Sequence, residues 1–211
     1  MNRILITGGS GRLAAELKKH LKADYVGIED FDFIYNVPKG DYDLVLHMGA
    51  YTDVKKAESE KEKCMLTNVL GTFNIVEAYK NIPIIYISTE WAHKPLGTYA
   101  LSKQLGEEIV KTHPRHLILR TLFKPTPWQF PFAYDDQMTQ GDYVDIVAKI
   151  LKEIVDVWDK ETPINDIQFL GTGRKTIYEL AKRTRPDVKP NKVDDYNKEL
   201  GMNIVPHDYI G

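Results

Sequence analysis

Among its 211 residues the chain holds a single cysteine, Cys64. One thiol closes no internal disulfide and makes no Cys-rich metal site, and such scarcity suits a reducing, cytoplasmic setting. No charge of one sign dominates: 28 Lys and Arg stand against 30 Asp and Glu, a net of −2. That balance removes the basic footprint of a nucleic-acid binder and the like-charge block of a solvated tail. Long apolar runs are missing too. The first, Ile4-Leu5-Ile6, meets glycine at Gly8, too soon for a signal-peptide core or a membrane span. Internal repeats, low-complexity tracts and linker-like stretches are absent. The reading is a soluble protein, with neither nucleic acid nor membrane as partner, whose fold starts at its first residues.

Hydrophobic residues make up 43% of the chain, enough for a real core in one domain of 24.2 kDa. Short apolar runs bounded by turn residues read as buried strands at 3–7, 25–28, 43–47, 82–88, 116–121 and 167–170. Helical spacing lies between them at 11–22, 58–80, 98–112 and 141–158. Apolar strands alternating with helices predict a parallel sheet covered on both faces. The segment 123–140, with three prolines and no period, reads as loop. Thr176 and Glu179 have the spacing of a capping box.

The first predicted strand runs into Thr7-Gly8-Gly9-Ser10-Gly11-Arg12-Leu13-Ala14, a G-x-x-G-x-x-A pattern opening a helix. Gly8 supplies a tight turn, Gly11 lets backbone approach a pyrophosphate, and Ala14 is small enough for close helix–sheet packing. In that context the pattern predicts a dinucleotide held by Gly8, Ser10, Gly11, Arg12 and Leu13. Glu29 follows Gly8 by 21 residues, at the end of the second strand beside Asp30. A carboxylate there accepts from ribose hydroxyls and repels a 2′-phosphate, which favours NAD over NADP. Arg12 pulls the other way, because a guanidinium grips phosphate. The fold class is therefore α/β, a Rossmann-type doubly wound parallel sheet with a much reduced C-terminal lobe. Residues 1–122 are expected to form the dinucleotide-binding core. Residues 123–211 are expected to add the last core elements and the reduced substrate-binding lobe, all within a single compact domain.

Tyr99 and Lys103 are four apart and share a helix face. A phenol with a reference pKa of about 10 needs its anion stabilised to exchange protons near neutrality, and an adjacent ammonium does that. Ser88-Thr89 puts a hydroxyl at the end of the preceding strand, where open α/β sheets bind ligands.

TGGSGRLA (7–14), HMGAYTDVKKAESE (47–60), TNVLGT (67–72), YISTEWA (86–92) and YALSK (99–103) occur in order along the chain. LILRT (117–121), DDQMT (135–139), YVDIVA (143–148) and GTGRKTIYELAKR (171–183) continue the series more faintly. The whole resembles the extended short-chain dehydrogenase/reductase family, in the branch of dTDP-4-dehydrorhamnose reductases and related nucleotide-sugar reductases. The resemblance implies an NAD(P)-dependent oxidoreductase that reduces a 4-keto group on a nucleotide-linked deoxysugar, with a nucleotide-sugar partner. It implies that Thr89 bonds the substrate oxygen, Tyr99 exchanges its proton, and Lys103 holds the nicotinamide ribose and lowers the pKa of Tyr99. Met48, Gly49, Ala50 and Tyr51 would line the cofactor cleft, and Asn68 would be structural. Glu90 and Trp91 stand where such reductases usually carry Asp-Tyr, and would touch the sugar.

The chain departs from that pattern between Thr121 and Asp135, where relatives usually insert a longer loop and helix. What remains is rich in proline and aromatics, and Trp128 becomes the candidate there for stacking on a base or sugar. The departure keeps open two other readings: a cofactor-binding regulatory or scaffold subunit, and a compact nucleotide-sugar epimerase or dehydratase. The helix faces near Glu107–Lys111 and 141–158 are candidates for a homodimer. No metal is expected, and His113 and His116 read as solvated loop histidines lacking further ligands. Ser10 lies in a turn without a Walker-type Gly-Lys-Ser/Thr, which excludes nucleoside triphosphate hydrolysis of that kind.

Overall fold

The computed structural model describes residues 3–29, 34–37, 39–158 and 165–207. Every residue of β1 (Ile4–Thr7), β3 (Leu44–His47) and β4 (Ile84–Thr89) is buried. A strand is apolar on both sides only where both sides are covered. Strand alternation sorts the side chains. Ile4, Ile6, Leu44, Leu46, Ile85 and Ile87 enter one core, while Leu5, Val45, Ile84 and Tyr86 enter the other.

Those strands join β2 (Asp24–Val26), β5 (His116–Thr121) and β10 (Asn165–Phe169) in a six-stranded sheet ordered β10-β5-β4-β3-β1-β2. All its pairings are parallel. On one face α1 (Arg12–Leu17) packs with α6 (Val144–Asp156), burying Leu13, Leu17, Val147 and Leu151. On the other lie α4 (Gly71–Ala78) and α5 (Gly97–Lys111), which contribute Ile75, Val76 and Val110. Each such aliphatic side chain stabilises the fold by roughly 1.5–3 kcal/mol relative to exposure.

The topology places the site. From β1 the chain goes to the edge strand β2, then returns to lay β3 on the opposite side of β1. Connections diverge between β1 and β3, and a crevice opens outside their carboxyl ends, Thr7 and His47.

After β5 the chain builds a third cluster around Leu122, Trp128, Tyr143, Ile177, Leu180 and Val193. Short ladders frame it. β6 (Phe123–Lys124) pairs with β9 (Asp142–Tyr143), β7 (Phe132–Tyr134) with β12 (Lys189–Asn191), and β8 (Met138–Thr139) with β11 (Lys175–Thr176). Two helices, α7 (Ile177–Lys182) and α8 (Val193–Leu200), pack on them. The segment expected as loop thus carries β6, β7 and β8. Strands of two or three residues are too short to show a period, and their partners lie far along the chain.

The helix expected at 58–80 is broken into α3 (Lys61–Met65), a π-helical turn (Leu66–Leu70) and α4, and a separate short helix, α2 (Val54–Ala57), precedes it. The wide turn buries Asn68. The expected capping box opens α7: the Thr176 hydroxyl accepts from Glu179 N–H at 3.0 Å, and Glu179 accepts from Thr176 N–H at 2.7 Å. His113 and His116 are buried rather than solvated. His113 bonds the carbonyls of Arg115 and Tyr79, and His116 bonds the carbonyl of His113, so backbone satisfies them. Among the described residues no group of three or more His, Cys, Asp or Glu is placed to hold a metal, and no helix is long and apolar enough to cross a membrane. Asp30 lies outside the described residues.

Candidate active site

The crevice is built first from backbone. Gly8 has φ +74°, and a Cβ there would stand 2.7 Å from the amide nitrogen of Gly49. Only glycine both adopts that conformation and lets the two loops meet. Gly11 N–H donates to Gly8 carbonyl at 2.9 Å, and Gly9 N–H donates to Val26 carbonyl at 2.8 Å, which ties the turn to β2. Beneath it the Thr7 hydroxyl accepts from Gly49 N–H at 3.1 Å and bonds His47 Nδ1 at 2.6 Å.

A cleft of about 800 Å³ runs from this turn across the sheet ends, the size of a ligand or cofactor site. Gly8, Ser10, Gly11, Arg12 and Leu13 line one end, with Met48, Gly49 and Ala50 from the loop after β3. Thr89, Trp91, Tyr99 and Lys103 line the same cleft from β4, the 3-10 turn that follows it (Glu90–Ala92) and α5. Residues that the sequence suggested for two separate tasks share one cavity.

Thr89 caps the 3-10 turn by accepting from Trp91 N–H at 3.3 Å, which leaves its own proton to donate. Burial pushes the Tyr99 phenol up to about 12, while hydrogen bonding to the Thr89 hydroxyl offsets part of that. At neutral pH Tyr99 is therefore a protonated donor. Burial also pulls the Lys103 ammonium down to about 7, against the opposing pull of Glu107 and then Cys64. Lys103 Nζ donates to the Ile87 carbonyl at 2.8 Å and sits 4.0 Å from the centre of the Tyr86 ring.

Four other expected residues lie elsewhere. Tyr51 turns its hydroxyl to Glu60 at 3.2 Å and is absent from the cleft lining. Glu90 is fully buried and accepts from the Thr139 hydroxyl and from the N–H groups of Gln140 and Gly141, so a sugar does not reach it. Trp128 is buried in the third cluster, its indole N–H on the Phe132 carbonyl, while neighbouring Phe130 lines the cleft instead. Glu29 is exposed and off the lining, its carboxylate crowding Gly27 beside the Ser10 hydroxyl. Trp91 does line the cleft, and its buried indole N–H has no acceptor among the described residues.

Sequence reasoning missed Lys124, a lining residue on β6. Burial and then the nearby Arg12 guanidinium pull its ammonium down to about 8, with Glu90 opposing. Its only signal is its place just past a strand end. Asn68 proves a hub: its side chain accepts from Tyr51 N–H at 2.7 Å and donates to Tyr51 carbonyl at 3.1 Å and to the Ser102 hydroxyl at 2.8 Å.

Comparisons with known proteins fit this geometry. The model of the RmlD substrate binding domain family matches residues 1–197. A dTDP-4-dehydrorhamnose reductase of Sinorhizobium fredii is 28% identical over 146 residues, 56% of this chain and 49% of that protein. The spore coat polysaccharide biosynthesis protein SpsK of Bacillus subtilis is 30% identical over 149 residues, 57% of this chain and 53% of that protein. The chain thus spans about half the length of these relatives. Among solved structures, the dTDP-4-dehydrorhamnose reductase of Bacillus anthracis in complex with NADP has a TM-score of 0.76 at 20% identity, covering 98% of this chain and 88% of that one. The enzyme WbmF of Bordetella bronchiseptica in complex with NAD+ has a TM-score of 0.68 at 14% identity, covering 96% and 88%. The fold is that of these proteins, and the chain belongs to the RmlD substrate binding domain family.

Proposed function

We propose that this protein is an NAD(P)-dependent reductase that converts the 4-keto group of a nucleotide-linked deoxysugar to an alcohol. One observation carries the reading: Thr89, Tyr99 and Lys103 line the same cleft as the glycine turn. The donor set fits a dinucleotide. The turn offers backbone to a pyrophosphate, and Lys103 keeps two N–H groups beyond its bond to Ile87 for ribose hydroxyls. When bound, the dinucleotide supplies the hydride.

The chain's own residues supply the rest. Thr89 donates a hydrogen bond to the substrate carbonyl oxygen. Tyr99, protonated at neutral pH, gives its proton to that oxygen as charge develops there. The Lys103 ammonium orients the ribose and compensates the phenolate left behind. Trp91, which lines the cleft, would pack against the sugar ring.

Residues 1–122 would hold the dinucleotide, and 123–211 would complete the core and cover the sugar. The relatives solved with NADP and with NAD+ support either cofactor. A second copy would dock on the outer face of α4 and α5, where Phe73, Leu101 and Leu105 are exposed. The α6 helix, also suggested for that role, spends its apolar face on α1 and the sheet. A cytoplasmic setting suits such chemistry.

Fluorescence titration with NADH and NADPH, alone and with dTDP, tests the binding half. Saturable cofactor binding is expected, weakened in Gly11→Val, where a side chain enters the turn. No saturable binding of either cofactor contradicts it.

A further inference from the structure

We propose that Glu107, which touches neither cofactor nor substrate, is the positioning residue of this site, locking β4 to α5 so that Thr89, Tyr99 and Lys103 converge. Its carboxylate is fully buried. Oε1 accepts from the Ser88 hydroxyl at 2.6 Å and from Arg120 Nε at 2.9 Å, and Oε2 accepts from the second arm of the guanidinium at 2.6 Å. Both oxygens are thus used, and a buried carboxylate is tolerated only when so satisfied.

The partners matter more than their number. Ser88 immediately precedes Thr89 on β4, and Arg120 pairs with Ser88 in the register of β4 and β5. Glu107 itself lies one helical turn beyond Lys103 on α5, whose ammonium reaches back to Ile87, the residue before Ser88. Two links therefore fasten the end of β4 to α5, one through Ser88 and Glu107 and one through Ile87 and Lys103. Thr89 and Tyr99 hang from the two fastened segments.

Glu107 also has an electrostatic task. Lys103 is buried beside the Tyr86 ring on β4, within electrostatic reach of His47 on β3 and Cys64 on α3, and it lines the same cleft as Tyr99 on its own helix. His47 is neutral there, and the main attraction favouring the ammonium comes from Glu107. Arg120 balances Glu107 from the far side, so the two substitutions act on Lys103 with opposite sign. Glu107→Gln removes the attraction, and Arg120→Met leaves the carboxylate unneutralised.

The inference rests on Tyr99 and Lys103 forming the reducing pair, and its test is independent of turnover. The Lys103 side-chain amine is titrated by NMR in cofactor-free protein, its resonance assigned by loss in Lys103→Met. Glu107→Gln should lower the Lys103 pKa by about one unit or more, the scale of one nearby opposite charge. Arg120→Met should raise it, and Glu107→Asp should restore much of the wild-type value. NADPH affinity measured against pH should follow, its alkaline loss moving to lower pH in Glu107→Gln. Thr176→Ala, at a residue that does not line the cleft, should move none of these. Equal shifts in Glu107→Gln and Arg120→Met, or none in either, would overturn the proposal and leave a plain buried ion pair. Should Glu107→Gln fail to fold, the upward shift in Arg120→Met decides alone. A correct Lys103 response with no binding of NADH or NADPH would sink the reductase reading and spare this one.

Discussion

His47 shows what one residue does beneath the crevice. The Thr72 hydroxyl donates to the Asn68 carbonyl at 2.7 Å, so at 3.1 Å it accepts from His47 Nε2–H. Nδ1 is left to accept from Thr7, and the ring is neutral. Burial, then the Lys103 ammonium, pulls its pKa down to about 3 from 6.5. Between those values the unfolded chain binds a proton that the folded chain does not, so stability falls as pH drops from 6.5 toward 3. The loss from His47 is on the order of a few kcal/mol by the acid end. Urea midpoints across that range should fall steeply for wild type and less so for His47→Gln, and parallel curves would refute the assignment. None of this was legible in the sequence, where His47 is the last letter of a strand. That Thr89, Tyr99 and Lys103 would meet at one cleft was legible, because helical spacing and a strand-end position are local signals. Glu90 and Trp128 misled for the converse reason: nothing local reveals that Glu90 turns to backbone fifty positions away, or that the Trp128 indole packs into the third cluster.

At the level of elements, period and caps were the reliable signals. The six strands of the sheet, α5 and α6 were predicted within a few residues, since each shows a run or stripe long enough to read. The π-helical turn and the ladders β6–β9, β7–β12 and β8–β11 were not, because their formation depends on distant partners. One of these late elements gives a clean test. The capping box of α7 satisfies two backbone groups beside the third cluster, and neither Thr176 nor Glu179 lines the cleft. Thr176→Ala should cost about 1 kcal/mol in chemical denaturation while leaving cofactor affinity unchanged. A coupled loss of affinity would mean that the third cluster helps to shape the dinucleotide end.

For the molecule as a whole, the sheet order fixes where chemistry happens, and the charge distribution refines it. Connections diverge between β1 and β3, and the cleft runs from there to Tyr99. Arg12 and Lys124 both line it with no carboxylate bonded to either among the described residues, a polarity suited to a diphosphate. The reductase reading and the alternative of a cofactor-binding scaffold agree on binding and part at turnover. The most direct measurement is NADPH oxidation followed at 340 nm with a dTDP-linked 4-keto-6-deoxy sugar, for wild type and Tyr99→Phe side by side. The reductase account predicts sugar-dependent oxidation by wild type, and for Tyr99→Phe near-normal NADPH binding with a rate loss of about 10²-fold or more. Undiminished turnover in Tyr99→Phe, or tight NADPH binding by wild type without oxidation by dTDP-, UDP- or GDP-linked 4-keto sugars, would contradict it.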